Sequence, residues 1–100
     1  MENLSFDFGT TKLVSGHAHV GIVGSGDLEI LIEKSTDDQR AYVEVCTSVA
    51  GHMEIWKAVL DHFFNMHPYS IHIEINDFGA TPGVVLLRLA QAMEVLQDAK

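Results

Sequence analysis

His19-Val20-Gly21-Ile22-Val23-Gly24-Ser25-Gly26-Asp27-Leu28-Glu29-Ile30-Leu31-Ile32 is the stretch whose reading decides the fold. Two apolar runs, 19–23 and 28–32, flank the tetrapeptide Gly24-Ser25-Gly26-Asp27. A Ser-Gly pair between strand-like runs marks a hairpin turn. In the first run, starting at Ala18, Ala18, Val20 and Ile22 share one face, and His19, Gly21 and Val23 the other. In the second, Leu28, Ile30 and Ile32 face one way while Glu29 and Glu33 face the other. One apolar and one polar face is the pattern of an antiparallel pair with a core on one side. The tip presents Ser25 to water with glycine on both sides. That suits a residue to which something is attached, and it suits a plain turn; the residues leave both readings open.

Upstream, Leu4, Phe6 and Phe8 alternate with Ser5 and Asp7, so residues 1–16 supply an edge strand or a loose arm. Gly9 to Gly16 reads as a linker or turn. Downstream, Lys34 to Gln39 is a polar turn. Arg40 to Thr47 reads as a strand with Ala41, Val43 and Val45 inward. A helix begins near Ala50–His52, and Met53, Trp56, Leu60, Phe63 and Phe64 form its apolar stripe. Glu54, Lys57 and Asp61 lie on its opposite face at i,i+3 and i,i+4 spacing. Pro68 stops it. Ile71, Ile73 and Ile75 alternate with His72, Glu74 and Asn76, the cleanest strand pattern in the chain. Asn76 to Ala80 then leads to a second helix, with Thr81 as N-cap and Pro82 at the first helical position. Val85, Leu86, Leu89, Met93 and Leu96 form its stripe.

These elements predict an α+β fold: a two-layer sandwich in the order β-β-β-α-β-α. Its sheet is mixed or mostly antiparallel, with four to five strands and two helices on one face. The first helix serves as a right-handed crossover between neighbouring parallel strands. The 100 residues, 47% of them hydrophobic, form one domain over 1–100.

The net charge of −8, with Lys34, Arg40, Lys57 and Arg88 scattered singly, argues against nucleic acid as a partner. The single cysteine, Cys46, excludes an internal disulfide and fits a reducing compartment. It alternates with inward valines, as a partly buried inert thiol does. There is no basic, apolar leader, and no apolar run approaches the roughly 18 residues of a membrane span. We therefore expect no membrane partner and a cytoplasmic location.

Motifs that promise chemistry fail on context. Gly21 to Gly26 is glycine-rich, but Asp27 stands where a phosphate loop needs lysine, and a strand follows instead of a helix. Asp77-Phe78-Gly79 matches a kinase tripeptide in a chain far too short for a kinase. Asp77 and Thr81 are suited to satisfying loop and helix amides, while the amide end of the second helix can also hold a phosphate oxygen. Six histidines include His17 with His19 and His62 with His67, and neither spacing is that of a zinc site. Ser25 as a catalytic nucleophile would require a base and an orienting group that sequence cannot place. No catalytic or metal-binding residue is assigned. Leu31 and Val23, on the polar face of the hairpin, are weaker candidates for a docking patch.

Gly21-Ile22-Val23-Gly24-Ser25-Gly26-Asp27-Leu28-Glu29-Ile30-Leu31 resembles a segment of the acyl carrier (delta) subunits of malonate decarboxylase. So does Asn76-Asp77-Phe78-Gly79-Ala80-Thr81-Pro82-Gly83-Val84-Val85-Leu86-Leu87-Arg88-Leu89, and Thr47-Ser48-Val49 also fits. The resemblance runs from Leu4 to about Glu94. Asp77 to Arg88 is more faintly similar to the carrier subunit of citrate lyase. The resemblance implies a non-catalytic carrier whose serine, Ser25 by position, bears 2′-(5″-phosphoribosyl)-3′-dephospho-CoA through a phosphodiester. Gly24, Gly26 and Asp27 would shape the tip. The thiol of that group would hold acetyl and malonyl between the transferase and decarboxylase subunits, and a prosthetic-group transferase would load it. Asp77 and the start of the second helix would support the tip or meet the arm. Ordinary acyl carriers are helical bundles whose serine begins a helix; here the serine lies between strands. Two other readings remain: a non-catalytic interaction module with Ser25 as a turn residue, and a small serine hydrolase.

Overall fold

The computed structural model describes residues 1–14 and 20–98. Its elements are β1 (Glu2–Gly9), β2 (Val20–Ser25), β3 (Leu28–Lys34), β4 (Arg40–Thr47), α1 (Met53–Met66), β5 (Ile71–Asp77) and α2 (Pro82–Asp98). The five strands form one sheet in the order β1-β4-β5-β3-β2. Only β4 and β5 run parallel among the described strands, and α1 connects them as the crossover; the other three pairings are antiparallel. The expected α+β order is found, and the N-terminal segment is an edge strand, with Leu4 opposite Val45 and Phe8 opposite Ala41. Ala18, His17 and His19, expected to open the first hairpin strand, lie outside the described residues.

Period-two alternation builds the core from one face of the sheet. Leu28, Ile30 and Ile32 of β3, Ala41, Val43 and Val45 of β4, and Ile71, Ile73 and Ile75 of β5 are all buried, as their alternation predicts. Val85, Leu89, Met93 and Leu96 of α2 cover them, together with Trp56, Leu60, Phe63 and Phe64 of α1. Phe8 stacks on Phe64 at 4.6 Å between ring centroids, which closes the β1 edge against α1. Val14, in the expected linker, is buried too, and Lys12 bridges to Tyr69.

Two readings of the apolar faces are corrected and one is extended. Met53, the first residue of α1, is exposed at its open end; Val59 takes its place in the buried stripe. Ala92 adds to that of α2. In β2 the faces are reversed. Val23 pairs with Ile30 and packs against the core, while Ile22 pairs with Leu31 and is 67% exposed. Cross-strand partners share a face, so the position of the turn sets the parity of the whole strand. Val23 is therefore no docking candidate; Leu31 does lie on the outer face, half-buried.

The outer face is rich in carboxylates. Glu44, Glu74 and Leu31 form one cross-strand row, and Tyr42, His72 and Glu33 the next. His72 stands 3.4 Å from the Glu33 carboxylate and 3.5 Å from that of Glu44. Glu44, His72 and Glu74 gather their ligand atoms within 4.8 Å, on a face where both carboxylates are open to water. Among the described residues, no helix is long and apolar enough to cross a membrane.

Candidate functional site

The hairpin tip is tighter than the sequence suggests. β2 runs through Ser25, which pairs with Leu28, so only Gly26 and Asp27 make the turn. Ser25 is the last residue of an edge strand rather than the centre of a four-residue loop. β2 ends the sheet, so no described strand covers its outer side. A Cβ placed on Gly26 would meet nothing within 4 Å, and Gly26 has no left-handed φ. On Gly24 the nearest atom would be Glu29 Cγ at 3.9 Å. These glycines therefore leave space beside Ser25; steric demand within the chain does not require them. Both glycines thus leave open space next to position 25, where the implied prosthetic group would be attached.

Registers join the two motifs that stand fifty residues apart in the chain. Ser25 pairs with Leu28, Leu28 with Asp77, Asp77 with Thr47, and Thr47 with Glu2, so all five share one row across the sheet. Leu28, Asp77 and Thr47 are buried at 0%, 3% and 0% exposure, beneath the helical layer. At an inter-strand spacing of about 4.8 Å, Ser25 and Asp77 are roughly 10 Å apart along this row. The Phe78 N–H also donates to the Asp27 carbonyl at 2.9 Å, which ties the turn directly to the loop after β5.

Asp77 organises that loop. Its carboxylate accepts from Thr47 Oγ1 at 2.7 Å, from the Ala80 N–H at 2.9 Å and from the Gly79 N–H at 3.3 Å. Its carbonyl accepts from the Ser48 N–H at 3.0 Å. A buried carboxylate needs such donors to offset the water it loses. Gly79 bends the loop at φ +112°, a conformation that side chains rarely adopt. α2 then starts as its sequence predicts: Thr81 Oγ1 accepts from the Val84 N–H at 3.3 Å, and Pro82 is the first helical residue. Asp77 and Thr81 thus satisfy loop and helix amides. Asp77, expected in the loop, is the last strand residue instead.

A groove of about 150 Å³ opens beside this loop, between the starts of the two helices. Val49, Ile55, Trp56, Val59, Pro82 and Val85 give it apolar walls, His52 adds a polar ring before α1, and Asp77, Gly79 and Ala80 line it from the loop after β5. Trp56 reads as core in the sequence yet also lines the groove, and Thr47, the partner of Asp77, has no local sequence signal. Only the inclusion of Thr47-Ser48-Val49 in the family pattern hinted at it. Cys46 is half-buried on the opposite face.

The family model of the malonate decarboxylase delta subunit (MdcD), an acyl carrier protein, matches residues 15–96. The malonate decarboxylase acyl carrier protein of Xanthomonas euvesicatoria pv. vesicatoria (strain 85-10) is 51% identical over 84 residues, 83% of this chain and 80% of its own. That of Azotobacter vinelandii (strain DJ / ATCC BAA-1303) is 46% identical over 99 residues, 98% of this chain and 99% of its own. In the crystal structure of a Pseudomonas malonate decarboxylase hetero-tetramer in complex with malonate, one chain superposes with a TM-score of 0.80. It is 39% identical, with 95% of this chain and 99% of that chain covered. With a family model over residues 15–96, relatives 46–51% identical and a shared fold, the chain belongs to the malonate decarboxylase delta subunit family of acyl carrier proteins.

Proposed function

We propose that this chain is the acyl carrier subunit of a malonate decarboxylase and that Ser25 is its attachment residue. The group carried is 2′-(5″-phosphoribosyl)-3′-dephospho-CoA, whose thiol holds acetyl or malonyl while the transferase and decarboxylase subunits act on it. The observation that carries this reading is the placement of Ser25 at the open end of an edge strand, beside a turn bound to the Asp77–Ala80 loop. Gly24 and Gly26 give a modifying enzyme access to the hydroxyl. Asp27 and Phe78 hold the turn in place, so the tip is a firm base for a swinging arm. Covalent tethering keeps the acyl group at high effective concentration for each partner without releasing it. The chain itself supplies attachment and docking and leaves the chemistry to its partners. Its carboxylate-rich outer face is suited to steering onto basic partner surfaces.

Intact-mass measurement of the chain produced together with its prosthetic-group transferase tests this reading. A single large adduct is expected on the native chain and none on Ser25→Ala. A native chain that stays unmodified, or an adduct that persists in Ser25→Ala, would overturn the assignment and favour a plain interaction module.

A further inference from the structure

We infer that the groove between the starts of α1 and α2 is a resting site for the acyl-bearing end of the chain's own arm. The inference rests on Ser25 being the attachment residue and goes beyond it. Three observations carry it. First, Asp77 belongs both to the row that ends in Ser25 and to the groove, and that row sets the tether point roughly 10 Å from the groove edge. Second, the backbone bond from Phe78 to Asp27 makes the groove loop and the tip one connected unit. Third, the space is about 150 Å³, close to five water volumes, and its lining is mostly apolar, with His52 and Asp77 as its ionisable members. That volume is the size of a short acyl thioester and far smaller than a helix or strand.

A tethered group needs little intrinsic affinity to dock. A short tether gives an effective concentration of order millimolar, so a weak site is half-filled at a dissociation constant of the same order. Trp56, Val59 and Val85 are buried at the base of the groove and turn apolar surface toward the occupant. Packing against these side chains lowers the exposure of the thioester to water and slows its hydrolysis between transfers. Release then requires only that a partner site bind the same end more tightly.

The chain's only tryptophan, Trp56, reports on the groove. The test compares apo, thiol-bearing and acetylated chains by the single indole N–H signal and the Gly79 and Ala80 amide signals in two-dimensional NMR. Intact mass establishes the loading state of each sample. Acetylation is expected to shift these signals while leaving the outer-face amides of β4 unchanged. Ala80→Leu, which fills the groove, is expected to abolish the shift and to hasten hydrolysis of the acetyl thioester about twofold. Full loading with no shift in the native chain would overturn the inference and leave Ser25 as the attachment residue. An equal hydrolysis rate in native and filled chains would overturn it too. Absence of any adduct would remove the attachment itself and this inference with it.

Discussion

Removing the Asp77 carboxylate gives the sharpest test of how the tip is held. Asp77 is 3% exposed and takes three donors, of which Thr47 Oγ1 at 2.7 Å and the Ala80 N–H at 2.9 Å are short. Hydrogen bonds to a charged group contribute about 1.5–3 kcal/mol each. The Gly79 bond is long, and Gly79 is exposed, so water replaces it at little cost. In Asp77→Ala the Thr47 hydroxyl can turn to the Val49 carbonyl at 3.4 Å, and the variant no longer buries a charge. Those gains offset part of the loss, and the net destabilisation is expected to be about 3 kcal/mol. Asp77→Asn keeps an oxygen for the two amides and offers its NH₂ to Thr47, so about 1 kcal/mol is expected. In urea, with a slope near 1.5 kcal/mol/M, the midpoint should fall by roughly 2 M for alanine and under 1 M for asparagine. Hydrogen exchange at Phe78, whose amide links the loop to Asp27, should accelerate in the alanine variant. An alanine variant within about 0.5 kcal/mol of the native chain would refute the reasoning. So would an asparagine variant as unstable as the alanine one.

Two further outcomes separate other features of the structure. Gly79→Ala should destabilise by at least about 1 kcal/mol, since φ is +112°, whereas Gly26→Ala should change stability by under about 0.5 kcal/mol, because its new Cβ is in open space; paired urea titrations measure both. Burial lowers the His67 pKa below its ordinary 6.5, and the ring lies 4.9 Å from that of Phe63. The unfolded chain then binds more protons than the folded one between the lowered value and 6.5, so this stability is intact above 6.5 and is lost as pH falls through that window. His67→Gln should flatten that part of the stability–pH profile.

The site was legible in parts. Ser25, Gly24 and Gly26 stand out because turn chemistry is local. Thr81 and Pro82 mark the start of α2 for the same reason, and both are found where expected. The bond from Thr47 to Asp77 joins residues thirty apart, and no local spacing announces such a pair. Trp56 reads as core and is core, yet one side of it lines the groove; only the relative placement of two helices makes that visible. Val23 and Ile22 read onto the opposite faces because glycines interrupt the alternation of β2, so the apolar pattern alone does not fix its parity.

By itself, then, the amino-acid sequence determined the order of elements, the inward residues of β3, β4 and β5, the cap of α2 and the serine worth asking about. These follow from periodicity and turn chemistry, which act over a few residues. The tertiary structure decided strand order, the facing of β2, the burial of Asp77 and the union of the two motifs at one end of the sheet. Each of those depends on register between strands distant in the chain, where a shift of one residue would exchange the faces. The row from Ser25 through Leu28 to Asp77 and Thr47 exists only once β3 lies between β2 and β5.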